Sequence, residues 1–153
     1  MRPHIGKIFA GAAALLLVFT STAFSRGHRE LNGTWKLIPA RGELGGEAVL
    51  QTGTVTIHDR EHNIYIARNY TYDGASETQT YNFSTDGREN STVREGKTFK
   101  SKAKWEGDAL VVTTTKDNTS AVERYNLEPD GTLRLIIERP GHATATLYFQ
   151  RVQ

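Results

Sequence analysis

Between Ile64 and Tyr72 the sequence Ile-Tyr-Ile-Ala-Arg-Asn-Tyr-Thr-Tyr sets a cation and two phenols in step with two isoleucines. In an extended segment, residues two apart share a face, so Arg68, Tyr70 and Tyr72 follow Ile64 and Ile66 inward. A guanidinium in an apolar interior needs an acceptor, because an unpaired charge in low dielectric is expensive. One suitable partner is the carboxylate of an amphipathic ligand, gripped by the guanidinium fork and completed by tyrosine hydroxyls. The other is an internal acid such as Glu123. A bulge would reverse the phase and send Arg68 to water instead. The same count puts Gln79, Tyr81 and Phe83 on one face, and Phe99, Ser101, Ala103 and Trp105 on another. The candidate ligand-binding residues are therefore Arg68, Tyr70, Tyr81, Phe83 and Trp105.

Other chemistry is thinly represented. His58, Asp59, Glu61 and His62 crowd one strand end and its turn, but zinc sites need three or four ligands converging on one point. His58 takes the outward phase set by Val55 and Ile57, which reads as a solvated polar turn. There is no Gly-x-Ser-x-Gly, no cysteine and hence no thiol nucleophile, and no local carboxylate pair. No glycine-rich phosphate loop follows a strand and opens a helix. No catalytic residue, metal site or cofactor is assigned, and a non-enzymatic protein is expected. Lys100, Lys102 and Lys104 alternate with Phe99, Ser101, Ala103 and Trp105, as a solvated strand face that also discourages edge pairing.

The elements that must carry these residues are strands. Short alternating segments are separated by Asp73-Gly74, Asp86-Gly87, Gly96, Glu106-Gly107-Asp108, Asp117-Asn118, Asp130-Gly131 and Pro140-Gly141. Each is a place where the chain can reverse through positive φ. The spacing leaves no room for crossover helices, so neighbouring strands are antiparallel and paired in sequence order. Leu133, Leu135 and Ile137 alternate with Arg134 and Glu138; Ala145, Leu147 and Phe149 alternate with Thr144, Thr146 and Gln150. An all-β, antiparallel up-and-down meander of about 8–10 strands follows. Gly42, Gly45 and Gly46 mark the stretch from Arg41 to Thr52 as the irregular part, with room for a short helix or lid.

The first 25 residues have the layout of a secretory signal: Arg2 and Lys7, an apolar run from Ile8 to Phe19, then a small and polar stretch ending at Ser25. Cleavage before Arg26 or before Phe24 satisfies the small-residue rule. A run of that length is too short to span a membrane, and no later segment has one. Of 19 basic residues, Arg2 and Lys7 lie in this segment, leaving 17 against 17 acidic ones. The mature domain, residues 26–153, is thus close to neutral, which argues against nucleic acid and anionic membrane as partners. Without cysteine it must be held by its core alone.

The domain opens Leu31-Asn32-Gly33-Thr34-Trp35-Lys36-Leu37 and continues through Lys104-Trp105-Glu106-Gly107-Asp108-Ala109-Leu110-Val111-Val112. Later come Tyr125-Asn126-Leu127-Glu128-Pro129-Asp130-Gly131-Thr132-Leu133 and a terminal Tyr148-Phe149-Gln150-Arg151. Over residues 31–153 this succession resembles the lipocalin-like, calycin-type small exported bacterial proteins, in which Gly-x-Trp opens the first strand. The resemblance implies a barrel or half-barrel with Trp35 at its floor and a late basic residue, Arg151 or Arg139, across the indole. It implies a secreted or periplasmic binding protein for a small apolar or amphipathic molecule. The alternative is a structural or protein-interaction domain whose barrel is filled by its own side chains.

Overall fold

A computed structural model of the chain describes residues 28–44 and 50–152. Residues 1–25, where the sequence has the layout of a secretory signal, lie outside the described residues, as do Gly45 and Gly46. A single 3-10 turn (Arg29–Leu31) precedes ten strands: β1 (Gly33–Glu43), β2 (Leu50–Arg60), β3 (Asn63–Tyr72), β4 (Ala75–Ser84), β5 (Asn90–Arg94), β6 (Lys97–Glu106), β7 (Ala109–Lys116), β8 (Thr119–Leu127), β9 (Leu133–Glu138) and β10 (Ala145–Arg151). The seven turn signals all fall at strand junctions. At Asp117 and Asn118 both φ angles are positive, 48° and 63°, the handedness that matches the twist of the flanking strands.

The strands form one antiparallel sheet in the order β4-β3-β2-β1-β10-β9-β8-β7-β6-β5. Pairing of β1 with β10, through Trp35 opposite Arg151 and Leu37 opposite Phe149, curls the meander round on itself. The two sheet ends, β4 and β5, are not paired with each other, although β4 packs against β6. The result is a nearly closed up-and-down barrel with one lateral cleft.

In the stretch from Arg41 to Thr52, β1 runs to Glu43 and β2 starts at Leu50, residues 45–49 lie outside the described residues, and the β2–β3 register shifts between Leu50 and Thr52. A further irregularity lies earlier. Between Leu37 and Gly42 the β1–β10 register shifts, and Pro39, which has no N–H to donate, sits in that bulge. The shift frees Arg41 to cover the Tyr148 ring at 4.2 Å and reach Asp130 at 2.8 Å.

Alternation sends one face of every strand inside. Trp35, Ile57, Ile64, Leu110, Tyr125, Leu133, Leu135 and Phe149 are fully buried and fill one end of the barrel. At that floor, Trp35 Nε1 donates to Leu31 O at 2.9 Å, and the Arg151 guanidinium lies 4.2 Å from the indole centroid. Arg151, and not Arg139, is the basic residue across the tryptophan. Gly33 explains the glycine of Gly-x-Trp: its φ is +132°, and a Cβ there would meet Arg151 Nη1 at 2.7 Å. The outward face is wet. Lys100 pairs with Glu89 and Lys104 with Glu106, all four side chains exposed. No helix among the described residues is long and apolar enough to cross a membrane.

Candidate functional site

Halfway up the barrel the apolar filling stops at a charged pair. Arg68, from β3, is 5% exposed and faces β8 across the interior. Its Nη1 donates to Glu123 Oε1 at 2.9 Å, and its Nη2 donates to Glu123 Oε2 and to the Tyr125 hydroxyl. The Tyr125 hydroxyl in turn donates to Glu123 Oε2 at 3.1 Å. Burial opposes the charge on Arg68, but the Glu123 carboxylate more than offsets it and Arg68 stays a cation. Burial also raises the Tyr125 and Tyr70 phenols well above their ordinary value, so both remain protonated and neutral. The rings of Tyr81 and Tyr125 lie 4.9 and 5.7 Å from the Arg68 guanidinium carbon. Of the two partners open to Arg68 in the sequence, the internal acid is the one it takes in this structure.

Above this pair the barrel is open. A cavity of about 410 Å³ lies between β4 and the β5–β6 hairpin and extends to β8. Its wall combines Tyr81, Phe83 and Phe99 with Glu123 and with the uncharged Gln79, Asn90, Thr92, Ser101 and Thr114. Tyr81 and Phe83 stack with centroids 5.4 Å apart, and the Tyr81 hydroxyl donates to Gln79 Oε1 at 2.5 Å. A second cavity of about 340 Å³ shares Phe99, Thr114, Ala121 and Arg139 with the first and continues it toward the β7–β8 turn. A third, of about 190 Å³, lies between Leu50, Tyr70, Tyr72, Ile137 and Leu147, again with Arg139 in its wall.

The five residues singled out in the sequence fall into three places. Tyr81 and Phe83 line the main cavity, with Arg68 one layer behind Glu123. Tyr70 lines the third cavity, and its hydroxyl has no hydrogen-bond partner among the described residues. Trp105 sits at the opposite end, stacked on His28 with ring centroids 3.8 Å apart. Glu123, Tyr125 and Phe99 complete the site. Glu123 is the internal acid that the sequence offers to Arg68, and its alternation with Tyr125 and Leu127 is the signal that could have found Tyr125. Among the described residues no group of three or more His, Asp or Glu side chains is placed to hold a metal ion.

One backbone position makes room for Tyr70. A Cβ at Gly53, on the facing β2 pair, would lie 2.8 Å from Tyr70 Cδ1 and 3.1 Å from Cε1. Glycine inside a strand often marks such a close approach. Gly53→Ala is expected to push the ring aside and lower stability by about 1–3 kcal/mol, read as a drop in the urea midpoint. Adding Tyr70→Leu should recover most of the loss. A Gly53→Ala variant of unchanged midpoint would show that the ring moves freely.

These features define a class of fold, the lipocalin-like barrel of the calycins. Solved structures of that kind match most of this chain. Secretory abundant heat soluble protein 4 from Ramazzottius varieornatus is 14% identical, covering 82% of this chain and 96% of that one, with a TM-score of 0.64. A REP1-NXSQ fatty acid transporter is 19% identical (81% and 97% covered, TM-score 0.64). A Schistosoma mansoni fatty acid binding protein in complex with arachidonic acid is 17% identical (81% and 97% covered, TM-score 0.59). At such identities the likeness is one of fold. No protein-family model and no curated protein sequence matches the chain.

Proposed function

We propose that this chain is an exported, non-enzymatic binding protein that holds a small apolar or amphipathic molecule inside its barrel. The observation that carries this reading is the cavity of about 410 Å³ above a packed floor. Small-ligand sites have volumes of roughly 300–1,000 Å³ and mix apolar walls with a few placed polar groups. Tyr81, Phe83 and Phe99 supply the first, and Glu123 with its uncharged neighbours the second. A barrel filled throughout by its own side chains would leave no such space. Fold neighbours that carry fatty acids add support at the level of class. Export rests on residues 1–25 of the sequence.

The test is a titration of the mature domain with Nile red, a neutral dye whose emission rises and shifts to the blue in apolar surroundings. Saturable enhancement, reversed by competing long-chain lipids, is expected. Because both tryptophans lie at the floor, their emission should change little. No enhancement, together with no added mass in native mass spectrometry of protein purified from its own source, would sink the proposal.

A further inference from the structure

Resting on that reading, we infer that the bound molecule carries an uncharged hydrogen-bonding head group, a hydroxyl or primary amide, and not a carboxylate. The argument is which member of the buried pair the cavity meets. Glu123 is in the wall of the main cavity and Arg68 is behind it; their side chains are 18% and 6% exposed. The two terminal nitrogens of the guanidinium are committed. Both donate to Glu123, the Tyr81 ring covers one side and Tyr125 another, while the Nε, without a hydrogen-bond partner among the described residues, is buried out of reach of solvent. An incoming carboxylate would meet an acid first. To reach Arg68 it would have to expel Glu123 and leave two negative groups sharing one cation in low dielectric, which disfavours ionisation of both.

A neutral donor meets no such obstacle. A carboxylate has about four lone-pair positions, and the three hydrogen bonds to Glu123 from Arg68 and Tyr125 leave room for another. The pair is already neutral as a unit, so a hydroxyl or amide adds a hydrogen bond to Glu123 without altering the buried charge. Gln79, Thr92, Ser101 and Thr114 nearby are uncharged and both donate and accept. Arg139 is the one cation in that wall, and it also borders the two cavities toward the mouth. A tail-first acid held there would place its chain, not its head, beside Glu123.

The experiment compares 1-decanol, decanamide and decanoate as competitors of Nile red on the mature protein at pH 8, where the acid is ionised. The alcohol and the amide are expected to bind at least about tenfold more tightly than the acid, a difference near 1.4 kcal/mol. Decanoate binding as tightly as decanol would overturn the head-group inference while leaving the binding function intact. Failure of all three and of Nile red would overturn the function as well. Glu123→Gln supplies the second arm: it keeps the shape and removes the negative charge, so decanoate should gain about tenfold relative to decanol. A variant in which decanoate gains nothing would also overturn the inference. If Glu123→Gln does not fold, the wild-type comparison decides alone.

Discussion

Replacing Glu123 with alanine is expected to lower the unfolding free energy of the barrel by about 3–5 kcal/mol, measured by urea denaturation followed by circular dichroism. The size comes from what is left behind. Arg68 is 5% exposed, and its acceptors are Glu123 and the Tyr125 hydroxyl. Without the carboxylate, a full charge would remain in the barrel with one phenol oxygen for company, and no rotamer takes it to water from the middle of β3. A buried ion pair need not stabilise the fold, however, since its desolvation offsets much of the attraction. The double replacement Arg68→Met with Glu123→Leu should therefore recover most of the loss, and could equal the parent. Strong non-additivity is the signature of the pair. A Glu123→Ala loss below about 1 kcal/mol would mean that Arg68 is solvated after all.

The same pair marks how far the sequence carries the site. Period-two alternation assigns each residue to a face, and on that ground Arg68, Tyr81 and Phe83 face inward, as they do in the structure. It says nothing about height along the barrel axis, which depends on strand register and tilt. Trp105 has the same inward phase as Phe99 and Ser101 but belongs to the floor, beside His28, while those two border the main cavity. Nor does local pattern say who faces whom across the interior. Arg68 and Glu123 are 55 residues apart on strands that are not neighbours in the sheet, so the internal acid and a ligand both stay open until the barrel is formed. The meander itself was legible, because seven of the connections carry residues that accept positive φ and their spacing is too short for anything but antiparallel neighbours. The cleft between β4 and β5 was not. Asp86-Gly87 looks like the other turn signals, yet it joins two strands that do not pair. Local turn chemistry fixes a reversal, and pairing is decided by which partner β6 takes. In the first strand, Pro39 is the local sign of the bulge between Leu37 and Gly42.

At the floor, Trp35→Ala is expected to cost about 3–5 kcal/mol, enough to unfold a domain of ordinary stability. Trp35 is fully buried, paired with Val55 on one side and Arg151 on the other, and its indole N–H satisfies the Leu31 carbonyl at 2.9 Å. Alanine would remove the ring, orphan that carbonyl and leave a cavity that a closed row of strands cannot collapse to fill. The barrel would also lose its plug. Arg151 is held over the indole at 4.2 Å and donates to the carbonyls of Asn32 and Glu30 at 2.5 and 2.6 Å, so it pins the 3-10 turn across the barrel end. Arg151→Met removes that pinning and the cation–π contact, each exposed to solvent, and should cost only about 1 kcal/mol. Trp35→Phe falls between the two, keeping most of the apolar volume but losing the N–H. Since the floor is separated from the main cavity by the packed core, Trp35→Phe should leave the Nile red dissociation constant within about threefold of the parent value. Loss of stability with retention of binding is the expected pattern. A Trp35→Phe protein that is stable but no longer binds would place the ligand at the floor, against Trp35 and Trp105, and not beside Glu123.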